Sequence, residues 1–234
     1  MNTLTYSRVI SLSHVIHEQI PCWAGDPSIE LTTVADLATE GYQLRKLTIG
    51  EHSATHINAP ASFYQRGIGI DAYSPESLIA AAIVIDIRDR VLHNPDYILT
   101  LSDIALWEQQ HGTIAAGSLV LLNTGWEIRW HDPTAFFNVD RAGTAHFPGF
   151  GLEAVEFLLE QRQIAGIGID THGVDPGNDS TFAVNRLVLS QPRIVLENLA
   201  NLGQLPAMGT TIVIGVLPLQ GGTGSPVSVL ALLP

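Results

Sequence analysis

Two histidines and a carboxamide fall within seven residues of each other, as His52, His56 and Asn58. Imidazole nitrogens suit zinc, manganese, iron or nickel, and a side-chain oxygen two residues beyond the second histidine could be a third ligand. In an ideal strand the two histidines would stand about 13 Å apart, at roughly 3.3 Å per residue, which is too far for one ion. A bend must therefore bring them together. Because Pro60 pushes the residue before it toward an extended conformation, we place the motif in a turn that leaves a strand. A His-x-x-x-His pair without any ligand is the alternative interpretation.

The sequence around the two histidines resembles that of a known protein family. Residues 52–63, HSATHINAPASF, resemble the His-x-Gly-Thr-His-x-Asp-x-Pro-x-His signature of the metal-dependent cyclase family, whose members are enzymes of the kynurenine formamidase and isatin hydrolase kind. Five further segments resemble that family and follow in its order: residues 21–27 (PCWAGDP), 122–126 (LNTGW), 168–171 (GIDT), 196–199 (LENL) and 221–226 (GGTGSP). The resemblance therefore runs nearly from end to end.

Three positions depart from the family pattern. Two-metal members use the two histidines and the aspartate of the first motif, then a later histidine and a glutamate twelve residues beyond it. Glu197 matches that glutamate, but Asn58 replaces the aspartate and Asn185 replaces the later histidine. Ser62 replaces the third histidine of the motif, to which the family assigns proton transfer. A neutral carboxamide has one good acceptor oxygen and seldom bridges two cations, so a binuclear zinc centre is not expected.

Two hypotheses follow from these losses. In the first, one divalent ion, zinc or manganese, is bound by His52 and His56 and completed by Asn58 or Glu197 and by water. Such an ion lowers the pKa of bound water toward about 7 and polarises a carbonyl, as the hydrolysis of a small cyclic or formyl amide, or of a lactone, requires. In the second hypothesis the pocket holds no catalytic metal, and it binds a small molecule or carries out different chemistry. In either hypothesis Asn185 is a remnant of the second metal site that the family resemblance implies.

Proton transfer needs a substitute for the missing histidine. Glu51, Glu197 and His172 are the candidates, and the sequence does not rank them. His172 follows a predicted buried strand at its carboxyl end, where sites of α/β proteins cluster. Ser62 could position a water or a substrate, although a serine is a poor base at neutral pH.

Aromatic residues near the motifs could form the walls of a pocket for a flat substrate. The family resemblance implies this role for Trp23, Phe63 and Trp126. The alternative is that these side chains are anchors of the core or of loops, because burial is the usual fate of large aromatic side chains.

Composition excludes some classes of partner. The chain has 234 residues, 46% of them hydrophobic, which suffices for a substantial core, and we expect one cyclase-like domain over residues 1–234. Eleven Lys and Arg against 23 Asp and Glu give a formal net charge of −12, which repels nucleic acid and anionic membrane surfaces. The single cysteine, Cys22, and an N-terminus without signal-peptide features indicate a cytoplasmic protein. The partner expected from the hydrolase hypothesis is a small-molecule substrate.

Periodicity predicts an α/β or α+β domain in which a mixed β-structure core is flanked by helices. Apolar or alternating runs predict strands over residues 8–12, 29–34, 42–49, 80–87, 118–122, 164–169 and 211–216. Two amphipathic segments, residues 102–111 and 152–163, predict helices, whereas residues 185–189 are too short for an assignment. The resemblance adds a central β-structure surrounded by helices, as in kynurenine formamidase, and a homo-oligomer, either a dimer or a tetramer.

Overall fold

The computed structural model describes residues 4–234. Its strands are β1 (Arg8–Ser11), β2 (Glu30–Ala35), β3 (Leu44–Thr48), β4 (His56–Asn58), β5 (Ile79–Asp86), β6 (Ile98–Leu99), β7 (Leu119–Asn123), β8 (Gly149–Phe150), β9 (Gly166–Ile169), β10 (Ile194–Glu197), β11 (Thr210–Val216) and β12 (Gly224–Leu233). Its helices are α1 (Leu37–Glu40), α2 (Arg88–Val91), α3 (Leu101–His111), α4 (Pro133–Phe137), α5 (Leu152–Gln161) and α6 (Ala183–Leu189). Short 3₁₀ helices occupy Pro60–Ser62, Ile70–Ala72, Pro75–Leu78, Trp126–Arg129 and Leu202–Gln204.

Eight strands form one mixed sheet in the order β1-β12-β11-β5-β7-β9-β10-β4. The ten-residue strand β12 pairs with β1 and β11, and its first residues also pair with β4, so the sheet closes on itself like a barrel. The short strand β4 therefore lies between two partners: His56 faces Glu197 of β10 on one side and Pro226 of β12 on the other. This double pairing fixes the backbone of the histidine motif.

The centre of the sheet is parallel, from β5 through β7 and β9 to β10. Every residue of β7, β9 and β10 is buried, as expected for strands covered on both faces. One face packs against α3, α5 and α6 through a large apolar cluster, and a second cluster fills the closed side of the sheet. Because parallel strands end at the same edge, the residues that follow them gather there.

The predicted elements compare well with this architecture. The α/β class with a mixed sheet flanked by helices is confirmed, as are all seven predicted strands and both helices, with ends shifted by one or two residues at most sites. The turn prediction for the histidine motif is wrong in part: His52 lies in the turn after β3, but His56 begins β4, because pairing with β10 and β12 extends the backbone there. Residues 185–189 belong to α6.

Among the described residues, none of the helices has the length and apolar content needed to cross a membrane.

A third apolar cluster packs beneath the loop that contains α4, and His14 borders it. The His14 ring stacks on Trp130, with ring centroids 3.9 Å apart and planes 10° from parallel. Its Nε2 atom is buried without a hydrogen-bond partner. Burial, followed by the charge of His131, lowers the pKa of His14 from 6.5 to about 4.

This depressed pKa predicts a pH dependence of stability. Between pH 6.5 and 4 the unfolded state binds a proton that folded His14 rejects, so the free energy of unfolding falls as the pH falls through this window. His14→Phe keeps the stacked ring and removes the titration. We expect its loss of unfolding free energy from pH 7 to 4.5 to be about 2 kcal/mol smaller than that of the wild type, allowing for partial exposure of the ring.

Urea unfolding at the two pH values measures the difference. His111→Phe, which alters an exposed histidine beside Trp107, is the matched control. Equal pH dependence in His14→Phe and the wild type would contradict the assignment.

Candidate functional site

The site is built around a buried contact between neighbouring strands. His56 and Glu197 are paired residues of β4 and β10, and Nε2 of His56 lies 3.0 Å from Oε2 of Glu197. Their side chains are only 2% and 7% exposed. The other ring nitrogen of His56, Nδ1, lies 2.9 Å from the carbonyl oxygen of Ala54. Both nitrogens of His56 thus face oxygen atoms.

Glu197 is held as a carboxylate. Its Oε1 atom accepts hydrogen bonds of 3.0 Å from the Val174 backbone N–H and from Nδ2 of Asn185. Burial by itself would raise the pKa of Glu197, but these donors and His56 outweigh burial and lower the pKa to about 2. The negative charge at this position is therefore stabilised by neighbours on β4, on α6 and in the loop after β9.

Two carboxamides continue the contact into a chain. Nδ2 of Asn185 donates to Glu197, and Oδ1 of Asn185 accepts from Nδ2 of Asn58 at 3.1 Å. Oδ1 of Asn58 in turn lies 2.8 Å from Nδ1 of His52. The five residues His52, Asn58, Asn185, Glu197 and His56 therefore form one continuous series of hydrogen bonds, which we call the amide chain.

Asp175 fixes the orientation of Asn185, and its role was not predicted from the sequence. Its carboxylate accepts from the backbone N–H groups of Val184 and Asn185 at the start of α6 and from Nδ2 of Asn185 at 3.0 Å. Burial raises the pKa of Asp175 to about 6. Its place in the loop before a short helix resembles an ordinary helix cap, so the sequence offered no functional signal.

Thr223 holds the other end of the amide chain and was also missed. Its Oγ1 lies 2.9 Å from Nε2 of His52. The Glu51 carboxylate accepts hydrogen bonds from the backbone N–H of Thr223 and from its hydroxyl. Ser62 donates its hydroxyl to the Thr223 carbonyl at 2.6 Å. Two of the predicted catalytic residues, Glu51 and Ser62, are therefore engaged by one threonine.

His172 differs from them because its ring is free of protein hydrogen-bond partners at the buried Nδ1 atom. The ring stacks on Trp23, with centroids 5.0 Å apart and planes within 2° of parallel, and meets the edge of Phe137 at 4.9 Å. Burial lowers the pKa of His172 to about 4, with smaller effects from the charges of Glu197, His56 and His52. His172 is thus a neutral imidazole beside the amide chain. We call the group of rings formed by Trp23, Phe137 and His172 the aromatic wall.

The predicted pocket aromatics are placed in three different settings. Trp23 is 36% exposed and forms the stack with His172. Phe63 lies 5.8 Å from Phe182, with the Arg186 guanidinium over its ring. The prediction for Trp126 is wrong: this side chain is 1% exposed and donates from Nε1 to a backbone carbonyl in α4, because Asp170 draws its backbone N–H into the core.

The side chains predicted to bind a single divalent ion are not arranged as a metal site. In residues 4–234, no group of three or more His, Cys, Asp or Glu side chains is arranged so that it could hold a metal ion. A vacated metal site is expected to leave orphaned buried donors or acceptors, yet no side chain of the amide chain has a buried polar atom without a partner. As arranged, His52, His56, Asn58 and Glu197 do not fit the ion.

Comparison with protein families and with characterised proteins gives consistent results. A family model described as "Putative cyclase" matches residues 10–176. Isatin hydrolase from Roseibium aggregatum is 35% identical over 219 residues, which cover 89% of this chain and 82% of that protein. Kynurenine formamidase from Erythrobacter litoralis is 24% identical over 194 residues, which cover 82% of this chain and 79% of that protein.

Solved structures agree. Isatin hydrolase A from Ralstonia solanacearum superposes with a TM-score of 0.89 at 32% identity, over 97% of this chain and 92% of that chain. A protein described as a potential metal-dependent hydrolase with cyclase activity superposes with a TM-score of 0.73 at 24% identity, over 96% of each chain. The second likeness shows a shared fold.

The buried contact between His56 and Glu197 predicts a large effect of neutralising the carboxylate. Glu197→Gln keeps the shape of the side chain but removes the buried carboxylate that His56, the Val174 N–H and Asn185 contact, which should lower the free energy of unfolding by about 3 kcal/mol. Urea unfolding at pH 7 measures it. Asp96→Asn is the matched control, because Asp96 pairs with His146 where both side chains are 28–29% exposed, and we expect a change below about 1 kcal/mol. Equal losses in the two variants would contradict this account.

Proposed function

The chain belongs to the cyclase family, and from this membership we propose that it is a hydrolase that opens the C–N bond of a small cyclic or formyl amide, with a lactone as a further substrate class. The observation that carries the proposal is the 35% identity to isatin hydrolase over 89% of the chain. The family predicted from residues 52–63 and from the later segments is confirmed by the family model and by this relative.

The aromatic wall supports a flat substrate. Trp23 is partly exposed, and its stack with His172 and the edge of Phe137 forms a surface on which a planar ring can lie. Aromatic rings prefer such offset-stacked or edge-to-face contacts. We therefore propose a substrate whose amide is fused or bonded to an aromatic ring, as in an arylformamide.

We propose His172 as the group that transfers the proton. Amide hydrolysis needs a base for the attacking water and an acid for the leaving nitrogen. Glu51 and Ser62, the other candidates, are already engaged by Thr223. His172 keeps a neutral imidazole beside the amide chain without a protein partner at Nδ1, so it can take a proton from water and return it to nitrogen. Its stack on Trp23 fixes the plane of the ring.

A divalent metal ion is a separate part of this proposal. One structural neighbour is described as a potential metal-dependent hydrolase, and a divalent ion, zinc or manganese, would polarise the substrate carbonyl when bound. Because the donors of this chain do not fit such an ion, the proton steps proposed for His172 use the chain's own residues alone.

A second candidate function is favoured by the closed amide chain. A pocket beside an amide chain whose polar groups are all engaged by partners within the chain can bind a small aromatic molecule without converting it. In this case the protein would be a catalytically altered relative that keeps the fold. Binding of an aryl amide without turnover, with and without added metal, would distinguish this function from hydrolysis.

The assay follows ring opening of isatin and deformylation of N-formylkynurenine by absorbance, with zinc, with manganese and with chelator. We expect turnover of at least one substrate. His172→Phe keeps the ring stack and removes the nitrogens, so kcat should fall by about 10²-fold or more while KM changes little.

His111→Phe is the matched control, since His111 also lies beside a tryptophan but on the exposed side of α3. Unchanged kcat in His172→Phe would remove the proposed role of His172, and the absence of turnover under all three conditions would favour the binding function.

The hairpin of β2 and β3 supports a homo-oligomer. It forms a two-stranded sheet of its own, and isolated two-stranded hairpins are marginally stable in water. Apolar side chains along it are exposed, between 47% and 66%: Val34, Leu37, Tyr42, Leu44 and Leu47. Exposed apolar patches of this kind mark interaction surfaces. We propose that a second copy of the chain covers the hairpin in a dimer or tetramer.

Light scattering coupled to size exclusion tests this assembly. We expect a mass of two or four chains for the wild type and a lower mass for Leu44→Glu with Leu47→Glu, because charges in an apolar interface oppose association. Leu92→Glu, at a leucine that is 79% exposed elsewhere, is the control. A monomeric wild type would contradict the proposal.

Nucleic acid and membranes are not proposed partners, given the net charge of −12, and we propose a cytoplasmic location.

A further inference from the structure

We propose that the carboxamides of Asn58 and Asn185 take the place of a divalent ion in this chain, so that the site is assembled and held without metal. The proposal rests on the proposed function only for the location of the site. It is carried by the amide chain, by the surroundings that lock the chain in place, and by the partners that the chain supplies to Glu197.

The amide chain connects side chains that the sequence predicts as ligands of an ion. Asn58 is linked to Asn185, and Asn185 to Glu197, so His52 and Glu197 are connected through two carboxamides. A carboxamide has a donor and an acceptor at its two ends, which lets it link an acceptor on one side to a donor on the other. Two in series form a directed path from the His52 ring to the Glu197 carboxylate.

Both carboxamides are locked from outside the path. Asn58 is the last residue of β4, and its backbone pairs with Val195 on one side and Gly224 on the other. Asn185 is held by Asp175, which accepts from both its backbone N–H and its side chain. Turning either oxygen toward an ion would break hydrogen bonds that are buried, and buried polar groups left without partners are costly.

Both oxygens of the Glu197 carboxylate have partners within the chain. The Glu197 carboxylate is 3.0 Å from Nε2 of His56, whose other nitrogen donates to the Ala54 carbonyl. Asparagine at position 58 adds no negative charge beside this pair. A carboxylate there would leave the buried centre with an excess of negative charge, which a divalent ion is suited to neutralise.

The test measures metal binding and thermal unfolding and does not measure turnover. Wild-type protein and the double variant Asn58→Asp with Asn185→His are treated with chelator, incubated with Zn²⁺ or with Mn²⁺ and freed of excess ion. Metal per chain is then determined, and unfolding temperatures are compared with and without the ion. Asn178→Asp, which adds a carboxylate at an exposed position, is the matched control.

We expect the wild type and Asn178→Asp to retain far less than one equivalent and to unfold at the same temperature with or without the ion. The double variant should retain at least one equivalent and unfold at a higher temperature when the ion is present, because an ion that binds only the folded state stabilises it. The comparison with chelator shows whether the double variant is destabilised in the absence of metal.

Two results would overturn the proposal. One is a wild-type protein that retains about one equivalent of metal and loses it in His56→Ala. The other is a double variant that binds no more metal than the wild type, since the carboxamides would then not be what replaces the ion. Failure of the proposed hydrolysis would appear in the substrate assays. It would not change the result of either metal measurement.

Discussion

The pairing of β4 between β10 and β12 is the constraint on which the site depends. It places His56 opposite Glu197 and buries both, so the Glu197 carboxylate lies in the interior with the Nε2 atom of His56 3.0 Å away. The same pairing closes the sheet, which means that the fold and the polar centre are specified by one set of backbone hydrogen bonds. A change in register by one residue would turn His56 to the opposite face of the sheet and leave Glu197 unpaired.

Everything else in the site is oriented from this pair. One oxygen of Glu197 is taken by His56, so the other is directed at Asn185 and at the backbone after β9. Asn185 is then able to present its oxygen to Asn58, and Asn58 its oxygen to His52. The aromatic wall of Trp23 and His172 stands beside this series without joining it, which leaves one imidazole free for a ligand.

The sequence predicted the parts of this arrangement that depend on local pattern. Continuous apolar runs identified the buried parallel strands, and the replaced positions Asn58 and Asn185 were evident beside the family motif. The contact between those two amides could not be predicted, because it joins residues 127 positions apart. Thr223 was missed for the same reason: it meets Glu51 across 172 positions, and β12, which follows it, begins with the sequence Gly-Ser-Pro. The family resemblance places Trp126 in the pocket. Its burial could not be predicted, because it depends on the tertiary contacts of its turn.

A rigid polar centre beside a free imidazole divides the work of a hydrolase between two sets of residues. The amide chain has no unsatisfied group with which to activate water, so it can act only by shape and by the field of its charges. In the proposed hydrolysis, proton transfer would come from a group without hydrogen-bond partners, and we propose His172 for this role because the apolar rings around it cannot compete for its nitrogens. If the carboxamides replace an ion, catalysis depends more strongly on this one side chain than it would in a site where a metal polarises the carbonyl.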